Sequence, residues 1–199
     1  MRKELLDFFK QNNGYVRLKD IRNTMLHTRE VSNAVSEGEI EKIVPGLYKL
    51  VDYDWEENNN FIDVCKSNKS AVICLLSALA YYELTTFNPS EITVAVPHNT
   101  PKFQLIYPPI EVYYFSDNFY HIGIDEITLK HGVIKIYNKE KTICDMFRYR
   151  KRLGEDLALE GMKNYLQLKE ANINLLLEYA VKSKVQNIMM PYLKALMAR

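Results

Sequence analysis

The sequence predicts an α+β protein: an N-terminal winged helix-turn-helix, then a mixed domain with a small β-sheet and a helical C-terminal part. Three observations carry this prediction. Residues 39–50 (EIEKIVPGLYKL) read as two short strands reversed at Pro45-Gly46, with apolar residues at Ile40, Ile43 or Val44, Leu47 or Tyr48, and Leu50. An isolated hairpin is marginal in water, and the 38 residues before it offer three short amphipathic helices as support. From Phe61 onwards alternating strands appear, and at Asn138 they give way to helical periodicity.

Taken in order, the first helix spans Lys3 to Gln11, buries Leu5, Leu6, Phe8 and Phe9, and stops at Asn12-Asn13-Gly14. Tyr15-Val16 is a short extended link. A second helix is expected from about Leu18 to Met25, with Leu18, Ile21 and Met25 on one face. The third begins near Thr28, which can cap it, turns Val31, Ala34 and Val35 inward, and ends at Gly38. Helix, helix, helix, hairpin is the winged-helix plan, and it occupies residues 1–52. The acidic, asparagine-rich stretch that follows reads as a linker, residues 53–60, with Trp55 placed to dock it. Residues 61–199 form the second domain. Within it Phe61–Lys66 reads as a helix and Ser70–Leu84 as a long, nearly all-apolar, deeply buried one. Strands are expected at 91–97, 110–115, 126–130 and 133–137, the last two joined through His131-Gly132. Helices follow near 139–150, 155–168, 171–183 and 187–198, and Pro191 delays or kinks the last.

Composition narrows the function class. With 47% hydrophobic and 12% aromatic residues the chain can build a core, which excludes disorder. No apolar run reaches the roughly 18 residues that span a bilayer, and the charged start Met1-Arg2-Lys3-Glu4 is not a signal peptide, so a cytoplasmic protein is expected. Cys65, Cys74 and Cys144 are odd in number and widely spaced, which points to free thiols rather than disulfides or a metal site. No metal and no cofactor are expected. The net charge of +1 conceals a gradient: +2 over residues 1–50, −8 over 51–129 and +7 over 130–199. A basic C-terminal third can meet an anionic partner or simply neutralise the acidic middle, and both remain open.

In a winged helix the third helix enters the major groove. Its outward residues here are Thr28, Arg29, Ser32, Asn33 and Ser36. Arginine reads guanine bidentately, asparagine reads adenine, and short hydroxyls allow close approach. Lys19 and Arg22 on the second helix, and Lys42 and Lys49 on the hairpin, are placed to contact phosphates. Glu30 and Glu37 on the third helix oppose them, so one copy should bind weakly and a homodimer on DNA is the natural remedy.

Signatures of catalysis are missing: no glycine-rich phosphate loop, no His-Glu-x-x-His, no CxxC pair and no Glu-x-Lys nuclease constellation. His27, His98, His121 and His131 are scattered, and the pairs Asp125-Glu126 and Glu155-Asp156 suit element ends better than opposed general acid and base. A non-enzymatic protein is expected. The segment 139–152 is more distinctive. Asp145 lies in an apolar stretch and needs a partner, Arg148 or Lys141. Arg148, Arg150, Lys151 and Arg152 interleave with Tyr149, as a partner or nucleic-acid surface requires or as a helix C-terminus favours.

These motifs together resemble a known family. The run Gly14-Tyr15-Val16, Ile21, Thr28, Val31 and Gly38 to Tyr48 resembles the winged-helix domain of AbiEi-type antitoxins, described as transcriptional regulators of viral defence systems. Ser77–Leu84, Ile92–Pro97, Lys139–Asp145 and Leu153–Glu160 resemble the family's second domain, in the same order. The resemblance implies a repressor that binds inverted repeats in its own promoter. It also implies a type IV, abortive-infection antitoxin that counteracts a nucleotidyltransferase-like AbiEii toxin without a stable complex. Arg148, Arg150, Lys151 and Arg152 are the candidate antitoxin surface. Two rivals stand beside this: a winged-helix regulator whose second domain dimerises or senses a ligand, and an RNA- or protein-binding adaptor using the basic C-terminal helices.

Overall fold

The computed structural model describes residues 1–22 and 24–198. Asn23, inside the expected second helix, and Arg199 lie outside the described residues. The chain divides into two compact units. The first holds Met1–Lys69 with Leu105–Pro108 and Thr128–Ile134, and the second holds the remainder.

In the first unit α1 (Lys3–Gln11) leads into β1 (Tyr15–Arg17), α2 (Leu18–Ile21), α3 (Thr28–Ser36), β2 (Ile40–Val44), β3 (Leu47–Leu50) and α4 (Asn59–Ser67). The spacing of Leu5 and Phe9 places both on one side of α1, and both are fully buried. They share a core with Val16, Ile21, Val31, Ala34, Ile40 and Leu50. Leu6 and Phe8 are only half-buried, and Val35 is exposed rather than inward. Tyr15-Val16 is more than a link. It starts a strand that pairs antiparallel with β3, so β3 is the middle of a sheet ordered β1-β3-β2. The β2–β3 reversal runs through Pro45-Gly46, with Gly46 at φ +82°, a conformation that glycine adopts without steric cost. The second helix is a single turn ending at Ile21 rather than near Met25, and Met25 is almost wholly exposed. Helix α3 begins at Thr28, but its N-cap is His27, whose N–H donates to Glu30 (3.2 Å).

Residues 53–60, expected as a linker docked through Trp55, are not a free spacer. Residues 53–69 pack into the first unit: the Trp55 ring lies 5.2 Å from Tyr15 and its Nε1 donates to the Leu50 carbonyl (3.2 Å). Acidic, asparagine-rich composition suggested a spacer, but the aromatic side chains within it bury enough surface to dock the segment. Helix α4 follows it there, so the first unit extends past residue 52.

The second unit contains β4 (Val72–Ile73), α5 (Leu75–Tyr81), β5 (Ile92–Pro97), β6 (Ile110–Phe115) and α6 (Asp117–Tyr120). Strands β7 (Ile124–Leu129) and β8 (Gly132–Tyr137) form the next hairpin, with its tip residues counted in the first unit. Helices α7 (Lys139–Leu153), α8 (Glu155–Leu166), α9 (Ile173–Lys182) and α10 (Gln186–Met197) complete the chain. The sheet order is β6-β5-β4-β8-β7, with β4 antiparallel to β5 and parallel to β8, and β5 parallel to β6. The long helix expected over Ser70–Leu84 is instead a strand and a short helix. Uniform burial erases periodicity, so β-branched Val72-Ile73 could not be told from helix; Cys74 alone separates the two elements, and α5 opens on Leu75 at φ +46°. Gly161 lets α8 approach α5 and α7. A Cβ there would sit 2.7 Å from Leu79 and 3.2 Å from Ile143.

Candidate nucleic-acid interface

Helix α3 turns Val31 and Ala34 into the core, and the helical period therefore sends Thr28, Arg29, Ser32, Asn33 and Ser36 outward; all five are exposed. Arg29 and Asn33 make no side-chain hydrogen bond or ion pair among the described residues, so their donors are available to a ligand. Ser36 Oγ donates back to the Asn33 carbonyl (2.7 Å) and Ser32 Oγ to the Thr28 carbonyl (3.4 Å). Lys19 on α2, Arg22 just after it and Lys42 on β2 are exposed. All eight of these side chains are exposed.

Glu30 does not oppose them as expected. Its carboxylate accepts from the Arg2 guanidinium and from the His27 N–H. Partial burial works the other way, yet these donors hold its carboxyl below the ordinary value. Glu37 remains exposed beside Asn33 on the last turn.

Lys49 is the correction. Strand alternation puts it on the same side as buried Leu47, and it is only 7% exposed. Its ammonium donates to Asp63 of α4 (2.7 Å) and lies 3.0 Å from Glu41, its cross-strand partner. Burial lowers the basicity of Lys49, but Asp63 and Glu41 outweigh it and keep the amine charged. The other Asp63 oxygen accepts from Tyr15 (2.7 Å), whose hydroxyl also accepts from Asn59 (2.8 Å). Lys49 therefore fixes the hairpin onto α4, and its ammonium is buried between two carboxylates rather than presented to a phosphate. Sequence reasoning missed Asp63 and Asn59. The signal for Lys49 was available, since Leu47 and Lys49 share a parity along β3.

The second unit disperses its four basic candidates. Arg148 stacks on Phe119 (3.5 Å), and Arg152 pairs with Glu111 while lying 4.7 Å from the Tyr113 ring. Arg150 donates to the Phe147 carbonyl (2.9 Å) and is half-buried, whereas Lys151 is exposed. The period of α7 brings Arg148 and Arg152 to one side and sends Arg150 to another, so the four do not form one patch. One turn earlier, Asp145 has the expected partner: Lys141 Nζ at 2.5 Å, both residues fully buried. Lys141 also sits over the Tyr137 ring (4.6 Å), and burial lifts the Asp145 carboxyl above its ordinary value against the pull of Lys141. Asp145 Oδ1 has no hydrogen-bond partner among the described residues. This pair is sealed in the core of the second unit and belongs to no accessible site.

Helices, short sheet and exposed polar helix face are thus assembled within one stretch of chain. Residues 3–51 match the family model described as transcriptional regulator, AbiEi antitoxin. The match covers the first six elements, α1 to β3, and agrees with the resemblance drawn from the sequence over that stretch. It implies a role among transcriptional regulators and antitoxins. Comparison with curated proteins gives no match. Among the described residues no group of three or more histidine, cysteine or acidic side chains could hold a metal ion, and no helix is long and apolar enough to cross a membrane.

Proposed function

We propose that the N-terminal unit is a winged helix-turn-helix that binds double-stranded DNA through α3. In this reading the chain represses its own promoter and acts as an antitoxin against a nucleotidyltransferase-like AbiEii toxin. The carrying observation is the outward face of α3, where the exposed Arg29 and Asn33 side chains make no hydrogen bond or ion pair among the described residues, next to a core-anchored hairpin. Arg29 and Asn33 read base edges, Thr28 and Ser32 permit close approach, and Lys19, Arg22 and Lys42 neutralise phosphates. The protein works in the cytoplasm without a catalytic centre, as a homodimer on an inverted repeat, because a module of so few free cations needs two copies for tight binding.

A footprint over the gene's own promoter tests this. Arg29→Ala and Asn33→Ala should each cost about 1–3 kcal/mol and relax base choice. Lys42→Ala should weaken all duplexes alike. A protected region unchanged by Arg29→Ala would refute the assignment of α3.

A second reading has one observation in its favour: the family match ends at Val51, so the second unit could serve a regulator with no antitoxin role. Co-expression with a downstream nucleotidyltransferase-like gene separates the two. Rescue from toxicity that is lost on reversing charge at Arg148 and Arg152 supports the antitoxin, and absence of any rescue supports the plain regulator.

A further inference from the structure

The first unit holds two neighbouring cations, Arg17 and Lys66, that make no ion pair among the described residues. Arg17, the last residue of β1, and Tyr15 share one side of that strand. The Arg17 guanidinium donates to the Lys66 carbonyl at the end of α4. Lys66 lays its ammonium over the Tyr15 ring at 4.8 Å. Both residues are half-buried, and among the described residues neither has a carboxylate within ion-pair distance. Asp63, one helical turn before Lys66, has both oxygens occupied by Tyr15 and Lys49. Burial first and the Arg17 charge second hold the Lys66 amine below its usual basicity, with Asp63 pulling weakly the other way. Gly132 packs closely against the Lys66 stem: a Cβ there would come within 3.2 Å of its Cε. Two like charges confined in partial burial are unfavourable unless an anion completes them.

The position is informative too. Arg17 pairs with Leu47 across the sheet, and the next residue's N–H donates to the Gly46 carbonyl (2.8 Å). The cations therefore adjoin the Pro45-Gly46 turn, where a wing meets the nucleic-acid backbone. We propose that Arg17 and Lys66 form a seat for a phosphate oxyanion, and that on DNA it takes a backbone phosphate beside the wing turn, supplying the contact that Lys49 does not. The DNA source rests on the function proposed above; the seat itself does not.

Lys66→Met keeps an apolar stem on Tyr15 and removes the charge; Arg17→Met does the same at the strand end. Titration of the full chain with a promoter duplex and a scrambled duplex, between about 50 and 200 mM salt, reads the seat. Each variant should weaken both duplexes equally and reduce the slope of log K against log salt by about 1. Melting temperature of the free protein is the second readout, and Lys66→Met should leave it unchanged or raised. Unchanged slopes, or a lowered melting temperature with unchanged slopes, would overturn the seat and make Lys66 a cover for Tyr15. If the wild-type chain binds neither duplex, the DNA function fails. In that event inorganic phosphate that stabilises wild type but not Lys66→Met upholds the seat with a free anion as its occupant, and phosphate without effect removes both.

Discussion

Single residues decide where charge is available. Lys49 looks like Lys42 in sequence, two basic residues on one hairpin, yet one is locked between Asp63 and Glu41 and the other is exposed. Lys49→Ala would strand the Asp63 carboxylate, and removing one member of a buried pair costs about 3–5 kcal/mol. The expected signature is a lower melting temperature with salt-dependent slope unchanged in the protein that remains folded, the reverse of Lys42→Ala. The same logic applies to Lys141 and Asp145. Asp145→Ala should destabilise by about 3–5 kcal/mol in urea unfolding, whereas Lys141→Met with Asp145→Leu should recover most of that loss. Glu160 gives a pH test. It accepts from the Thr86 N–H (3.0 Å) and the Thr85 hydroxyl (2.7 Å), and these donors hold its carboxyl below the ordinary value. A depressed carboxyl stabilises the fold above the unfolded value of about 4.3 and loses that contribution as pH falls through the lower folded value. Glu160→Gln should therefore flatten the acid limb of a melting-temperature profile and leave neutral pH less stable.

Elements were legible to different degrees, for physical reasons. Helix α1 was read to the residue, because Leu5 and Phe9 carry the helical period and Asn12-Asn13-Gly14 terminate it. The β2–β3 hairpin was equally plain, since Pro45-Gly46 admits few conformations. Strand β1 was not, because three residues are too few to show alternation and its pairing with β3 is made across thirty residues of chain. Helix α2 shrank to one turn because Met25, counted on its apolar face, has no core to join. The α4 side chains that matter most, Asp63 and Lys66, gave no signal, since a buried polar network is specified by neighbours far away in sequence. On α3 the outward direction of Thr28, Arg29, Ser32, Asn33 and Ser36 follows from buried Val31 and Ala34, whereas Val35, expected inward, is exposed. What distance in sequence concealed was which cations are spoken for.

At the scale of the whole molecule, the near-neutral charge is distributed rather than absent, with the positive excess over residues 130–199. Several of those cations are engaged at home, Arg152 with Glu111, Lys139 with Glu170 and Lys182 with Glu178. If the chain binds DNA as proposed, so few free cations per copy should give weak binding with a shallow salt slope, because the slope scales with the number of phosphates neutralised, and two copies on two half-sites should make binding concentration-dependent. The central claim is that Arg29 on α3 reads base edges. Binding of the wild-type chain and Arg29→Ala to the gene's own promoter and to a scrambled duplex, at one fixed salt concentration, tests it most directly. The account predicts that wild type prefers the promoter and that Arg29→Ala loses about 1–3 kcal/mol on the promoter, with little change on the scrambled duplex. Equal loss on both duplexes, or no loss on either, would contradict it.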